Sequence, residues 1–251
     1  MAIDFKVLKD HKRSKARLGV LTTAHGSVPT PAFLPVGTQG TVKAMSPREM
    51  HEVGVDMILA NTYHLYLRPG TDVIEAAGGL HEFMGWDRPI LTDSGGFQIF
   101  SMSDLSKVTD EGVKFKSHID GTTHMLTPEK VLDIQKSLGS DIMMPLDECL
   151  PHESGKEKAI EALERTTAWA KRSKKYLDQL NAPGVLFGIV QGGMFPDLRR
   201  RSADEIVGLE LPGYAIGGLS VGEPRPIMYD VLSKTAPLLP ENKPRYLMGV
   251  G

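Results

Sequence analysis

The stretch Ile90-Leu91-Thr92-Asp93-Ser94-Gly95-Gly96-Phe97-Gln98 runs from an apolar strand onto a carboxylate and then at once onto two glycines. A strand therefore delivers an acid to its tip. The glycines let the backbone turn without a Cβ and let a ligand approach the main chain, while Phe97 offers a flat apolar face to a planar ring. An Asx-type turn closing an ordinary strand is written in the same letters, so this stretch alone leaves both readings open.

Repetition separates them. Three later apolar runs close on polar or glycine residues in the same way: Asp141-Ile142-Met143-Met144-Pro145-Leu146-Asp147-Glu148, Leu186-Phe187-Gly188-Ile189-Val190-Gln191-Gly192-Gly193, and Tyr214-Ala215-Ile216-Gly217-Gly218-Leu219-Ser220-Val221-Gly222-Glu223. A parallel barrel gathers the carboxyl ends of its strands around one site, so residues far apart in sequence converge there.

The strand-like runs 32–38, 57–62, 90–93, 141–147, 186–191, 214–219 and 245–250 alternate with helical stretches. This predicts an α/β chain of the (β/α)8 TIM-barrel class that reaches its seventh strand, a single domain over 1–251. Short β-favouring pieces between Phe5 and Val28 predict hairpins ahead of the barrel, and Val113 to Leu126, with an Asp120-Gly121 turn, predicts a hairpin inserted after the third strand and overhanging the site. Ser46-Pro47-Arg48-Glu49 is a helix start, and Ile160 to Leu180 a long amphipathic helix. His64 reads as a structural histidine or an acid/base. Phe83, Met84 and Trp86 read as core or as a dimer patch, and the basic cluster Lys9, Lys12, Arg13, Lys15 and Arg17 as a solvated turn or a phosphate contact.

Lys plus Arg at 29 against Asp plus Glu at 31 gives a net charge of −2, which excludes a global electrostatic signature of nucleic-acid binding and leaves only local patches. One cysteine, Cys149, excludes an internal disulfide framework and suits a reducing, cytoplasmic location. Neither a signal-peptide pattern nor an apolar run of about eighteen residues is present, so no membrane partner is expected.

At the predicted strand tips, Asp147, Gln191 and Gly218 complement one planar edge. Guanine shows two N–H donors that an ionised carboxylate accepts together, and a carbonyl to which an amide or backbone N–H donates. Phe97 and Met248 are placed to cover the two ring faces.

The segments Thr92 to Gln98, Asp147-Glu148-Cys149, Val190 to Gly193, Ile216 to Glu223 and Tyr246-Leu247-Met248-Gly249-Val250-Gly251 resemble, in order and over essentially the whole chain, those of the bacterial queuine tRNA-ribosyltransferase (tRNA-guanine transglycosylase) family. The resemblance implies a modified TIM barrel with a zinc subdomain, a homodimer, and an exchange reaction. Guanine at the wobble position of tRNAs with GUN anticodons is replaced by the queuosine precursor preQ1 through a covalent enzyme–RNA intermediate. By the same resemblance Asp93 is the general acid/base, Ser94, Gly95, Gly96 and Phe97 complete the substrate loop, and Asp147, Gln191 and Gly218 read the base edge. Leu219 meets the aminomethyl group of preQ1 through its carbonyl, Cys149 and Val221 form a pocket favouring preQ1 over queuine, and Gly249, Val250 and Gly251 begin an RNA-contacting segment.

The family's nucleophilic Asp and its structural zinc ligands, three Cys and one His, lie on segments with no match among the 251 residues. The expectation is therefore of no metal ligand within the chain, a barrel open by one strand, and a polypeptide that is inactive and unstable alone. Two rival readings stand beside it: a generic barrel enzyme using Asp93 and Asp147 as an acid and nucleophile pair, and a non-catalytic related subunit.

Overall fold

The computed structural model describes residues 3–101 and 106–250. It opens with an antiparallel meander, β1 (Asp4–Asp10), β2 (Arg17–Thr23) and β3 (Gly26–Thr30). The sheet is one-sided: Leu21 and Val28, paired across β2 and β3, are buried, and most of the other side chains face solvent. The basic cluster lies around the exposed β1–β2 turn, and Arg17 is tied to the backbone carbonyls of Glu241 and Lys243.

Next come β4 (Val36–Gly37), α1 (Pro47–Glu52), β5 (Ile58–Ala60), α2 (Thr62–Leu67), α3 (Thr71–Ala76), α4 (Leu80–Met84), β6 (Ile90–Thr92) and α5 (Gly96–Ser101). The strand expected over 32–38 is shortened to two residues, flanked by Pro31 and Pro35, which have no N–H to donate to a ladder. Ser46 and Glu49 close a reciprocal capping box on α1. A short helix follows Asp93 directly, where no helical pattern was read in the sequence.

The insertion is three-stranded: β7 (Ser106–Val108), β8 (Val113–Lys116) and β9 (Thr123–Leu126), antiparallel throughout. Then follow α6 (Pro128–Leu138), β10 (Ile142–Met143), α7 (Lys156–Leu180), β11 (Val185–Leu186), β12 (Gly188–Val190), α8 (Pro196–Val207), β13 (Tyr214–Ile216), α9 (Arg225–Thr235) and β14 (Arg245–Leu247).

Two parallel sheets result, ordered β11-β10-β6-β5-β4 and β12-β13-β14. The run expected as one strand over 186–191 changes partner inside itself: Phe187 N donates to Met143 O, and Gly188 N to Gly213 O. At Gly188 a Cβ would lie 2.4 Å from Ile206 Cγ2, so α8 packs on the backbone at the switch. Successive strand residues point to opposite faces and both faces are covered, which is why the strands read as unbroken apolar runs. Leu59, Leu91, Ile142, Ile189 and Ala215 join Leu21 and Val28 in one interior cluster, whereas Ile58, Ala60 and Ile90 pack outward among the helices. The N-terminal meander thus contributes side chains to the interior that the parallel strands enclose.

Candidate functional site

A cavity of about 830 Å³ opens where the strands end and continues down into that apolar interior. Every candidate base-pocket residue lines it except Gly96 and Val221, and so do Gly249 and Val250. Gly251 lies outside the described residues. Gly96 sits just behind the wall: a Cβ there would come 2.7 Å from Asp147 O, so the absence of a side chain lets the β6 tip close against the segment after β10.

Asp93 follows β6 and is held from three sides. Thr62 N donates to Oδ1 at 2.9 Å, Gln98 Nε2 to Oδ2 at 2.9 Å, and Asn61 Nδ2 also to Oδ2. Burial nonetheless raises its pKa above the ordinary carboxylate value, with these hydrogen bonds opposing. Asn61 and Gln98 were not singled out from the sequence as site residues. They belong to different segments, and only the fold aims both amides at one carboxylate.

Asp147 is 4 % exposed. Gln191 Nε2 donates to its Oδ2 at 2.7 Å and Ser94 Oγ to its Oδ1 at 2.9 Å, while Ser94 Oγ also accepts from Gly96 N at 3.1 Å. Burial lifts the Asp147 pKa to about 6 against those two donors, and the negative charge of Asp93 adds to the lift. Each carboxylate oxygen has two acceptor sites, so one remains on each after Ser94 and Gln191 are served. Two parallel N–H donors on a flat ligand would fill them.

Gly218 has a φ of +64°, and a Cβ there would lie 2.4 Å from Gln191 Oε1. Glycine is needed both for the backbone turn and for the amide beside it. Behind this rim sits Arg199, a residue that the sequence presents only as one of three adjacent arginines. It is 1 % exposed and has no carboxylate partner among its hydrogen bonds; it donates to Gly193 O at 2.8 Å, Gly217 O at 2.6 Å, Gly218 O at 3.0 Å and Val190 O at 3.2 Å. One guanidinium fork thus ties the turn after β12 to the turn after β13, on either side of Gln191. Its pKa is lowered by burial to about 10, so it stays charged at neutral pH.

Cys149 is partly buried, and burial together with Asp147 pushes its thiol up to about 12, which leaves it a packing group rather than a thiolate. Leu219 is buried, Met248 half-buried, and Phe97 is 54 % exposed, free to meet a ligand face. Tyr246 also lines the cavity. His64 is half-buried, with its pKa lowered by burial and by His118 and raised by Asp93; its ring meets that of His118 edge-on at 6.0 Å. Tyr63 Oη and His118 Nδ1, 2.8 Å apart, and Tyr66 Oη and His124 Nδ1, 3.0 Å apart, dock the inserted sheet onto α2. Trp86 is core, whereas Phe83 is exposed.

The expectation of no metal ligand within the chain is overturned. His25, His81 and Asp141 place their donor atoms within 4.8 Å of one another. The spacing rules for zinc did not find them because they sit 56 and 60 residues apart along the chain, on a turn, a helix and a strand entry. A single cysteine does not fit a cysteine-rich zinc set, but two imidazoles and a carboxylate are a donor set that suits the ion.

No helix among the described residues is long and apolar enough to cross a membrane. The family profile described as "Queuine tRNA-ribosyltransferase" matches residues 10–251. The chain is 59 % identical over 251 residues to the queuine tRNA-ribosyltransferase of Desulforamulus reducens, 60 % over 251 residues to that of Pelotomaculum thermopropionicum and 60 % over 252 residues to that of Acetivibrio thermocellus. In each case all of this chain aligns with 67 % of the relative. The chain spans about two thirds of the length of these relatives and, with its TIM-barrel-like α/β architecture, it belongs to the queuine tRNA-ribosyltransferase family.

Proposed function

We propose that this chain forms the base-reading part of a tRNA base-exchange enzyme, which replaces guanine at the wobble position of tRNAs with GUN anticodons by preQ1 on the route to queuosine. The observation that carries the reading is the single cavity where Asp147, Gln191 and Gly218 meet beside Asp93. The two free acceptor sites of Asp147 take the N1–H and the exocyclic amino group of the base. Gln191 or the Gly218 backbone N–H donates to its carbonyl, and Phe97 and Met248 cover its faces. Leu219 offers its carbonyl to the aminomethyl group of preQ1, beside Cys149 and Val221. Asp93, held in a fixed orientation, passes a proton to the departing guanine as the family's nucleophilic carboxylate takes the ribose carbon and the glycosidic bond breaks, and takes a proton from the incoming base as that carboxylate is displaced in turn.

Several finer features belong to the same reading. The parallel strands β4, β5, β6 and β10 to β14 are part of a (β/α)8 barrel in a single domain, the three-stranded insertion overhangs the RNA, and Gly249 to Gly251 lead into an RNA contact. Exposed Phe83 belongs to a homodimer face, and the enzyme is cytoplasmic.

Titration calorimetry tests the base pocket directly. Wild type binds guanine and preQ1, and Asp147→Asn lowers both affinities more than tenfold, because hydrogen bonds to a charged group contribute roughly 1.5–3 kcal/mol each. Unchanged guanine affinity in a folded Asp147→Asn variant, or preference for a phosphorylated sugar over guanine, refutes the assignment and favours the rival pair chemistry of Asp93 with Asp147.

A further inference from the structure

His25 lies in the turn between β2 and β3, His81 in α4, and Asp141 at the entry of β10, whereas the base cavity lies at the strand exits. Asp141 is almost fully buried, its side chain 1 % exposed, and His81 is 11 % exposed. His25 Nδ1 stands 2.8 Å from Asp141 Oδ1 and His81 Nε2 stands 3.4 Å from Asp141 Oδ2. The two imidazoles stack at 3.6 Å between centroids, 19° from parallel, with ring nitrogens turned to the same carboxylate.

A hydrogen-bonded brace accounts for His25 with Asp141, and Ile90 N, donating to Asp141 Oδ2 at 2.9 Å, fixes the carboxylate. It accounts less well for His81. Its Nε2 is buried, makes no well-formed hydrogen bond, and meets Asp141 Oδ2 only at the long distance of 3.4 Å, where a weakly satisfied polar atom is costly. A cation between the two would satisfy both. Zinc bonds of about 2.0–2.2 Å set its donors roughly 3.3–3.5 Å apart, which the 3.4 Å between His81 and Asp141 matches and the 2.8 Å between His25 and Asp141 approaches, and imidazole donors favour zinc-class ions over magnesium or calcium.

We propose that His25, His81 and Asp141 form a structural divalent-cation site of the zinc class, independent of the base cavity, that clips the N-terminal meander to the strand entries. His25, whose side chain is 38 % exposed, gives solvent access to an ion held there. The clip joins segments 116 residues apart, so metal binding and docking of the meander reinforce each other.

The test uses this chain, stripped with chelator and titrated with Zn²⁺ or Co²⁺. We expect one equivalent retained through dialysis, a tetrahedral Co²⁺ absorption band, and a higher melting temperature with Zn²⁺. His81→Ala and His25→Ala should each weaken binding at least about tenfold, while Cys149→Ser leaves it unchanged. His25→Ala alters only a turn residue, and circular dichroism confirms that it folds. Folded wild type that retains no ion, or equal retention in both histidine variants, overturns the proposal.

Discussion

Asp147 is held where an ionised carboxylate is expensive, and its two donors offset only part of the cost. Its pKa rises from 3.8 to about 6, which at 1.36 kcal/mol per pH unit makes ionised Asp147 cost the folded state roughly 3 kcal/mol. The sign follows from proton counting. Between about pH 4 and 6 the folded state keeps a proton that the unfolded state has lost, so this residue's contribution to stability falls as pH rises through that window and is constant above it. Urea unfolding at several pH values should therefore show a downward slope that flattens in Asp147→Asn. Base binding runs the other way, because only the carboxylate accepts two N–H donors; guanine affinity in calorimetry should rise with pH through about 6. Gly218→Ala places a methyl 2.4 Å from Gln191 Oε1 at a φ of +64°, so it should displace the amide and cut guanine affinity about tenfold or more. Retained affinity would mean that Gln191 does not read the base.

At the scale of the element, α8 serves the site through Arg199 rather than through any residue in the cavity. Arg199→Lys keeps the charge but replaces a four-carbonyl fork with one ammonium, so Gly217, Gly218, Gly193 and Val190 cannot all keep their donor. We expect a loss of about 3 kcal/mol or more in urea unfolding, since buried acceptors left unpaired cost roughly 1–3 kcal/mol each. Within the folded population, guanine binding should weaken while the melting of the inserted sheet is unchanged. In α7, Trp169 is fully buried and donates to Asp110 O at 2.8 Å, pinning the insertion to the helix. Trp169→Ala should cost about 3–5 kcal/mol and raise hydrogen exchange in β7 to β9 first. The neighbouring Arg165, bonded to both Glu148 and Asp110, ties the same insertion to the segment that carries Asp147.

For the molecule as a whole, a net charge of −2 means that affinity for tRNA has to come from local basic surface facing the phosphates, not from overall attraction. Filter binding should then show tRNA affinity falling tenfold or more between about 50 and 200 mM salt, while guanine affinity stays nearly constant. In a full-length enzyme of the family, Asp93→Ala should abolish exchange yet leave that salt-sensitive RNA affinity largely intact. Loss of RNA affinity in parallel with exchange would place Asp93 in RNA docking rather than in proton transfer.

Local sequence carried the elements and their tips: the capping box at Ser46, the apolar runs, and the acid, amide or glycine that ends them are all properties of neighbouring residues. The loops Ser94 to Phe97 and Gly217 to Leu219 were legible for the same reason, since a glycine pair after a strand constrains its own backbone. Partnership across the chain was not legible. Asn61 and Gln98 on Asp93, Arg199 among Arg200 and Arg201, the change of strand partner at Phe187, and the meeting of His25, His81 and Asp141 all depend on the relative position of segments distant in sequence. Only tertiary packing sets that position. It also sets burial, which lifts the Asp147 carboxyl from the ordinary carboxylate range to about 6.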